Sequence, residues 1–161
     1  MAKQSTITRA SRPLEGSVRT VGVRPTLSLT ERDVAVADLS ISLTGGTGRT
    51  RTPMTFSVGL NAPLAARARA ELIEEATQSR IAVATRSGGA YVFKDVPVVP
   101  PGTGATRVFR ITNVRANASQ FARQARNIED QIQVLAFVAV SAPLRIALAG
   151  AQQTVAVARR N

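Results

Sequence analysis

Residues 108–119 read VFRITNVRANAS. From Phe109 to Asn113 apolar side chains alternate with polar ones, the period of two that puts successive side chains on opposite faces of a pleated strand. Phe109 and Ile111 then face a core, and Arg110 faces away from it. Asn113 and Asn117 stand where the alternation stops, and short amide side chains at such places bond the backbone of the strand end and the loop after it. The stretch predicts a strand over 107–115 that is scaffold on its inner face, with Arg110 and Arg115 as candidates for an exposed contact surface.

The same period recurs on both sides of this segment. Met54, Phe56, Val58 and Leu60 keep it strictly. QIQVLAFVAV (131–140) is the most apolar strand pattern and is expected to be central. IAVAT (81–85) and AYVFKDVPV (90–98) flank a turn at Ser87-Gly88-Gly89, and RIALA (145–149) and QTVAVAR (153–159) predict a hairpin across Gly150 and Ala151. Leu27, Leu29, Val34 and Val36 lead to Leu39, Ile41 and Leu43 with a phase slip at Ala37 and Asp38, which a β-bulge would explain. TGGTGRTRTP (44–53) reads as a hairpin loop. Many short strands punctuated by Gly and Pro predict an all-β fold, an antiparallel β-sandwich.

Two segments break the pattern. LAARARAELIEEATQ (64–78) is rich in Ala, Arg, Leu and Glu, so propensity predicts one short helix with Leu64, Ala68, Leu72 and Ala76 along one face. RANASQFARQARNIED is irregular, with a short helical turn. Residues 1–25 are polar and basic, with Pro13, Gly16, Gly22 and Pro25 as punctuation, and predict an N-terminal arm. The arm contributes Arg9, Arg12 and Arg19 to the candidate contact surface, and its VRTVGV (18–23) has the pattern of a strand able to join a sheet edge. Residues 26–161 form the predicted β-sandwich domain.

Hydrophobic residues make up 44% of the chain but aromatic ones only 4%, so the core must be built mainly from Val, Leu, Ile and Ala. The longest apolar run, Val134 to Leu144, falls short of the roughly 20 residues of a membrane-spanning helix. The segment MAKQSTITRASRPLEG carries Lys3, Arg9 and Arg12 but no apolar run of signal-peptide length. Either a chain that stays where it is made or an excised mature domain is expected from that. The net charge is +11, almost all of it from arginine, since Lys3 and Lys94 are the only lysines. Arginine pairs bidentately with phosphate and carboxylate, so non-specific polyanion binding is expected at low salt.

The sequence contains no histidine and no cysteine. That excludes Ser-His triads, thiolate catalysis, disulfides and the commonest zinc ligands. Carboxylates remain. Glu71 and Glu75 on the predicted helix would share a face with Arg67, the spacing of ordinary surface pairs, and are expected to be structural. Asp33 and Asp38 flank an apolar strand and make a poor calcium loop. GGTGRT (45–50) lacks the lysine and the following helix of a phosphate-binding loop. No catalytic, cofactor or metal residue is predicted.

One longer segment resembles a known pattern. GAYVFKDVPVVPPGTGATRVFRITNVRANASQ is similar to a β-rich domain without assigned activity in large secreted bacterial surface proteins, with its V-P-V-x-P-P-G turn and its R-x-F-R-I-T-N-V-R-A-N-A-S strand. LSLTERDVAVADLSISLTGG and TFSVGLNAP resemble the family's first strands, QIQVLAFVAV and AQQTVAVA its last. The resemblance covers about residues 27–157. It implies a β-rich fold and an extracellular or cell-surface location, and a strand rather than a helix over 69–77. This chain departs from it in having no cysteine in SISLTGG and no export signal in the sequence. The expected function is a non-enzymatic structural or adhesive module acting by self-association on a bacterial surface or in an extracellular assembly, with copies of itself or other protein subunits as partners. The alternative is a virion coat or decoration protein whose basic arm contacts nucleic acid.

Overall fold

The computed structural model describes residues 14–46, 51–67, 69–125, 127, 129–143 and 146–160. Fourteen strands follow in chain order: β1 (Leu14–Val21), β2 (Thr26–Ser28), β3 (Val34–Ala35), β4 (Asp38–Gly45), β5 (Thr52–Leu60), β6 (Glu71–Glu74), β7 (Ser79–Val83), β8 (Thr85–Ser87), β9 (Ala90–Val98), β10 (Gly102–Thr112), β11 (Arg115–Ala116), β12 (Gln131–Ser141), β13 (Ile146–Ala149) and β14 (Gln152–Arg159). A 3-10 helix, Ala118–Arg123, lies between β11 and β12. Sheet I has the order β13-β1-β4-β10-β6-β7, sheet II the order β2-β14-β12-β5-β9-β8, and β3 and β11 pair in a small ribbon. The pairs are antiparallel except β1 with β13 and β14 with β2. The fold is the predicted all-β sandwich.

Alternation decides which side chains fill the space between the sheets. Leu39, Ile41 and Leu43 of β4, Phe109 and Ile111 of β10 and Leu72 of β6 point inward from sheet I and are buried. Met54, Phe56 and Val58 of β5, Tyr91 and Phe93 of β9 and Val134, Ala136 and Val138 of β12 answer from sheet II. At roughly 1.5–3 kcal/mol for each large side chain removed from water, this burial is the main term holding the layers together.

The helix predicted over 64–78 does not form. Its centre is β6, hydrogen-bonded between β10 and β7, followed by a turn over 75–78 in which Gln78 takes a φ of 53°. Helix propensity amounts to tenths of a kcal/mol per residue, whereas a strand here pairs backbone on both sides and buries Leu72 completely. The helical turn expected in RANASQFARQARNIED is the 3-10 helix.

The arm predicted over 1–25 is corrected from Leu14 onward. β1 is an interior strand of sheet I, held on one side by β4 and on the other by β13. Leu14 and Val18 on its inner face have core to bury, and that burial outweighs the polar composition around them. Residues 1–13, with Arg9 and Arg12, lie outside the described residues, as do residues 47–50 of the GGTGRT loop.

Three local readings also change. TGGTGRTRTP (44–53) is not a hairpin loop, since β4 before it lies in sheet I and β5 after it in sheet II. The phase slip at Ala37 is a break between β3 and β4, where Val36 N–H donates to Val114 and Ala37 N–H to Val155, so the chain steps between layers there. The hairpin expected across Gly150 does not form: β13 (Ile146–Ala149) joins sheet I and β14 joins sheet II, with Gly150 at the crossing at a φ of 70°. A Cβ on Gly150 would lie 2.6 Å from the Val18 carbonyl oxygen, so the crossing closes directly over β1.

Candidate functional site

The two outer faces of the sandwich are chemically different. On sheet I the outward row Arg19–Ser40–Arg110–Ile73 runs across β1, β4, β10 and β6. Arg110 Nη2 pairs with Glu75 Oε1 at 2.6 Å, and the side chain is one-third exposed. Arg107 pairs with Glu74 at 2.6 Å and Arg80 with Glu71 at 3.1 Å. Glu71 and Glu75, and Glu74 between them, are therefore each paired with an arginine on a neighbouring strand. The pairing expected on a helix face with Arg67 is replaced by pairs made between strands, with Arg80, Arg107 and Arg110. Asp38 lies near Arg110, and burial raises its carboxyl above the ordinary 3.8 while the guanidinium partly offsets the shift.

The outer face of sheet II carries a different set. One row across it is Gln152–Phe137–Gly59–Ala90–Ser87, on β14, β12, β5, β9 and β8. The next is Ala139–Ser57–Val92–Thr85, and Leu135 lies beside Thr154 on the other side of Phe137. None of these side chains is charged, in a chain whose net charge is +11. Phe137 is 45% exposed, while Phe56, Phe93, Phe109 and Phe121 are buried. A Cβ at Gly59 would meet nothing within 4 Å, so the surface beside Phe137 is open.

The sequence-predicted contact arginines divide between roles. Arg19 is exposed on β1. Arg115 Nε donates to Asp33 Oδ1 at 2.5 Å and its Nη2 to the Asp33 carbonyl at 3.1 Å, which ties β11 to the segment before β3. Arg110 and Arg115 thus each pair with a carboxylate of the chain; Arg19 and Arg110 share one row of sheet I, Arg115 lies apart on β11, and Arg9 and Arg12 lie outside the described residues. Of the two amides of the opening stretch, Asn113, at a φ of 58°, donates not to its own strand end but across the sheet to the Arg69 carbonyl at 2.8 Å. Asn117 Oδ1 accepts from Ser119 N–H at 3.1 Å and caps the 3-10 helix.

Sequence reasoning missed two features. One is Phe137, hidden by the apolar run around it; its phase opposite Val134 and Val138 was the available signal. The other is an open cleft of about 720 Å³ lined by Arg67, Arg69, Val83, Thr85 and Arg86. Arg86 Nη1 donates to the carbonyls of Ala65 at 2.9 Å and Ala66 at 2.7 Å, which fixes the loop that presents Arg67. Among the described residues no carboxylate lines this cleft. Among the described residues no cluster of three or more acidic side chains suited to a metal ion occurs. No helix among them is long and apolar enough to cross a membrane.

No family model and no curated protein matches the sequence. Among solved structures the chain is similar to the pilus backbone protein RrgB of Streptococcus pneumoniae, at 12% identity and a TM-score of 0.44, over 83% of this chain and 31% of that one. It is similar to the major pilin subunit BcpA of Bacillus cereus, at 7% identity and a TM-score of 0.46, over 93% and 40% of the two chains. A third neighbour is the serine-rich repeat adhesion glycoprotein Srr1 of Streptococcus agalactiae, at 11% identity and a TM-score of 0.41, over 88% and 47%. The chain spans less than half the length of each of these proteins.

Proposed function

We propose that the chain is a non-enzymatic structural or adhesive module that works by association of its own copies, on a bacterial surface or in an extracellular assembly. The observation that carries this reading is the group of uncharged rows on the outer face of sheet II around the exposed Phe137, with Lys94 and Arg159 confined to the margins of that face. Two bodies of charge +11 repel, and contact is least opposed through a patch whose central rows contribute no charge. Exposed aromatics are the side chains that most often anchor such contacts. Five strands spaced about 4.8 Å apart make a patch on the order of 400 Å², so a single pair of copies binds weakly and firm assembly requires many contacts at once. The surface location rests on the resemblance of residues 27–157. Phe137→Arg places a charge on the face without touching the core; it should abolish concentration-dependent association in sedimentation while leaving the melting temperature unchanged.

The cleft of Arg67, Arg69 and Arg86 favours a second reading, contact with a polyanion such as nucleic acid in a particle. It predicts binding that survives physiological salt, falls steeply with added salt and weakens when Arg67 and Arg69 are changed to Ala. Binding already lost at physiological salt would leave only non-specific charge.

A further inference from the structure

β1 is an inserted strand. It pairs antiparallel with β4 from Leu14↔Gly45 to Val21↔Asp38, and parallel with β13 from Leu14↔Ile146 to Ser17↔Ala149. β13 has no other neighbour in sheet I, so β1 is what joins it to the sheet. Gln153 Nε2 also donates to the Val18 carbonyl at 3.1 Å. Removing β1 would expose two strand edges at once, together with the sites that receive Leu14 and Val18, which are 0% and 5% exposed.

The slot is selective. Between Leu14 and Val18 the inward position is Gly16, where a Cβ would lie 2.8 Å from Leu148 Cδ1 and 3.1 Å from Leu43 Cδ2. A side chain there would have to push aside the ends of Leu148 and Leu43, so the slot fits best a strand that reads large, none, large at alternate positions. The pattern Leu-x-Gly-x-Val occurs once in the sequence, at 14–18. The strand that fits is β1 of this chain or β1 of another copy.

The connection to β2 turns on a single glycine. β1 lies in sheet I and β2 in sheet II, joined by Gly22–Pro25. Pro25 is anchored, its carbonyl accepting from Val157 N–H at 3.0 Å, and the proline restricts Arg24 to extended conformations. The reversal falls on Gly22, at a φ of 77° with nothing within 4 Å of an added Cβ, and Val23 beside it is 93% exposed. A change of backbone at this one glycine turns a closed connection into an extended one.

We propose that β1 exchanges between copies: β1 of one chain fills the β4–β13 slot of another, giving closed dimers or an open series of linked copies. The exchange rests on the association reading for its use, but it is tested separately. Ser17 and Ser42 are outward partners in register, and the chain has no cysteine, so Ser17→Cys/Ser42→Cys creates a single reporter bond. The variant is refolded at low and at high concentration, oxidised, denatured and run on a non-reducing gel. Crosslinks within chains at low concentration and between chains at high concentration are expected. Gly22→Val, which forces a branched side chain into the left-handed region, should raise the between-chain fraction roughly tenfold. Crosslinks that stay within chains under every condition, Gly22→Val included, overturn the exchange. If the same samples still associate in sedimentation, association by another face survives; if they do not, both readings fall. Gly22→Val without cysteines gives an independent measurement. An exchanged dimer persists on dilution because release requires a strand to be withdrawn, and a dimer that dissociates at once contradicts the proposal.

Discussion

Phe109 of β10 and Phe56 of β5 meet across the two sheets, with ring centroids 5.5 Å apart and planes tilted by 52°. The contact joins the strand of VFRITNVRANAS to the middle of sheet II. Phe109→Ala should cost about 3–5 kcal/mol, measured by denaturant titration, a large part of the roughly 5–15 kcal/mol that stabilises a domain. A loss under about 1 kcal/mol would mean that the sheets close over the gap.

Arg110 leaves the same strand on the opposite face. Its pair with Glu75 at 2.6 Å is partly solvated, so Arg110→Ala should cost about 1 kcal/mol or less. The charged pair also predicts that this small loss shrinks further in high salt. Damage equal to that of Phe109→Ala would show the pair to be essential to the sheet.

These two side chains show what was legible in the sequence. Strict alternation in β5 and β10 sets the inner face wherever one side of a strand is buried, and Phe56, Phe109 and Ile111 follow from it directly. Segment 64–78 was misread because its helix propensity is local, whereas the pairing that overrides it comes from β10, more than thirty residues away. The break at Gly150 was misread as a hairpin because Gly-Ala is consistent with a turn inside one sheet or a crossing between two. The distinction depends on β1, which has a short apolar pattern in a basic context. Arg110 and Arg115 were legible as outward-facing, but their carboxylate partners at Glu75 and Asp33 are not near in sequence.

Gly16 makes the fit of β1 testable by stability alone. Gly16→Leu would have to displace Leu148 and Leu43, and overpacking of this kind costs about 1–3 kcal/mol. Gly59→Leu meets open space and should lack that packing penalty. Thermal melts of the two variants give the comparison, and equal losses would contradict the tight slot.

Burial gives Asp38 a raised carboxyl pKa, with Arg110 offsetting only part of it. The folded chain then binds this proton more tightly than the unfolded one. Ionised Asp38 opposes folding at neutral pH, and the penalty disappears as pH falls through the raised value towards 3.8. Asp38→Asn should leave stability at neutral pH equal or higher and flatten its dependence on pH across that window. A clear loss at neutral pH would mean that attraction to Arg110 outweighs desolvation.

Association through the face of sheet II around Phe137 is tested most directly by sedimentation of the chain and of Phe137→Arg, both refolded at low concentration so that β1 stays in its own chain, over a wide concentration range at physiological salt. The account predicts that the chain forms concentration-dependent oligomers and that Phe137→Arg stays monomeric with an unchanged melting temperature. A chain that remains monomeric at every concentration, or a Phe137→Arg variant that associates as well as the parent, would contradict it.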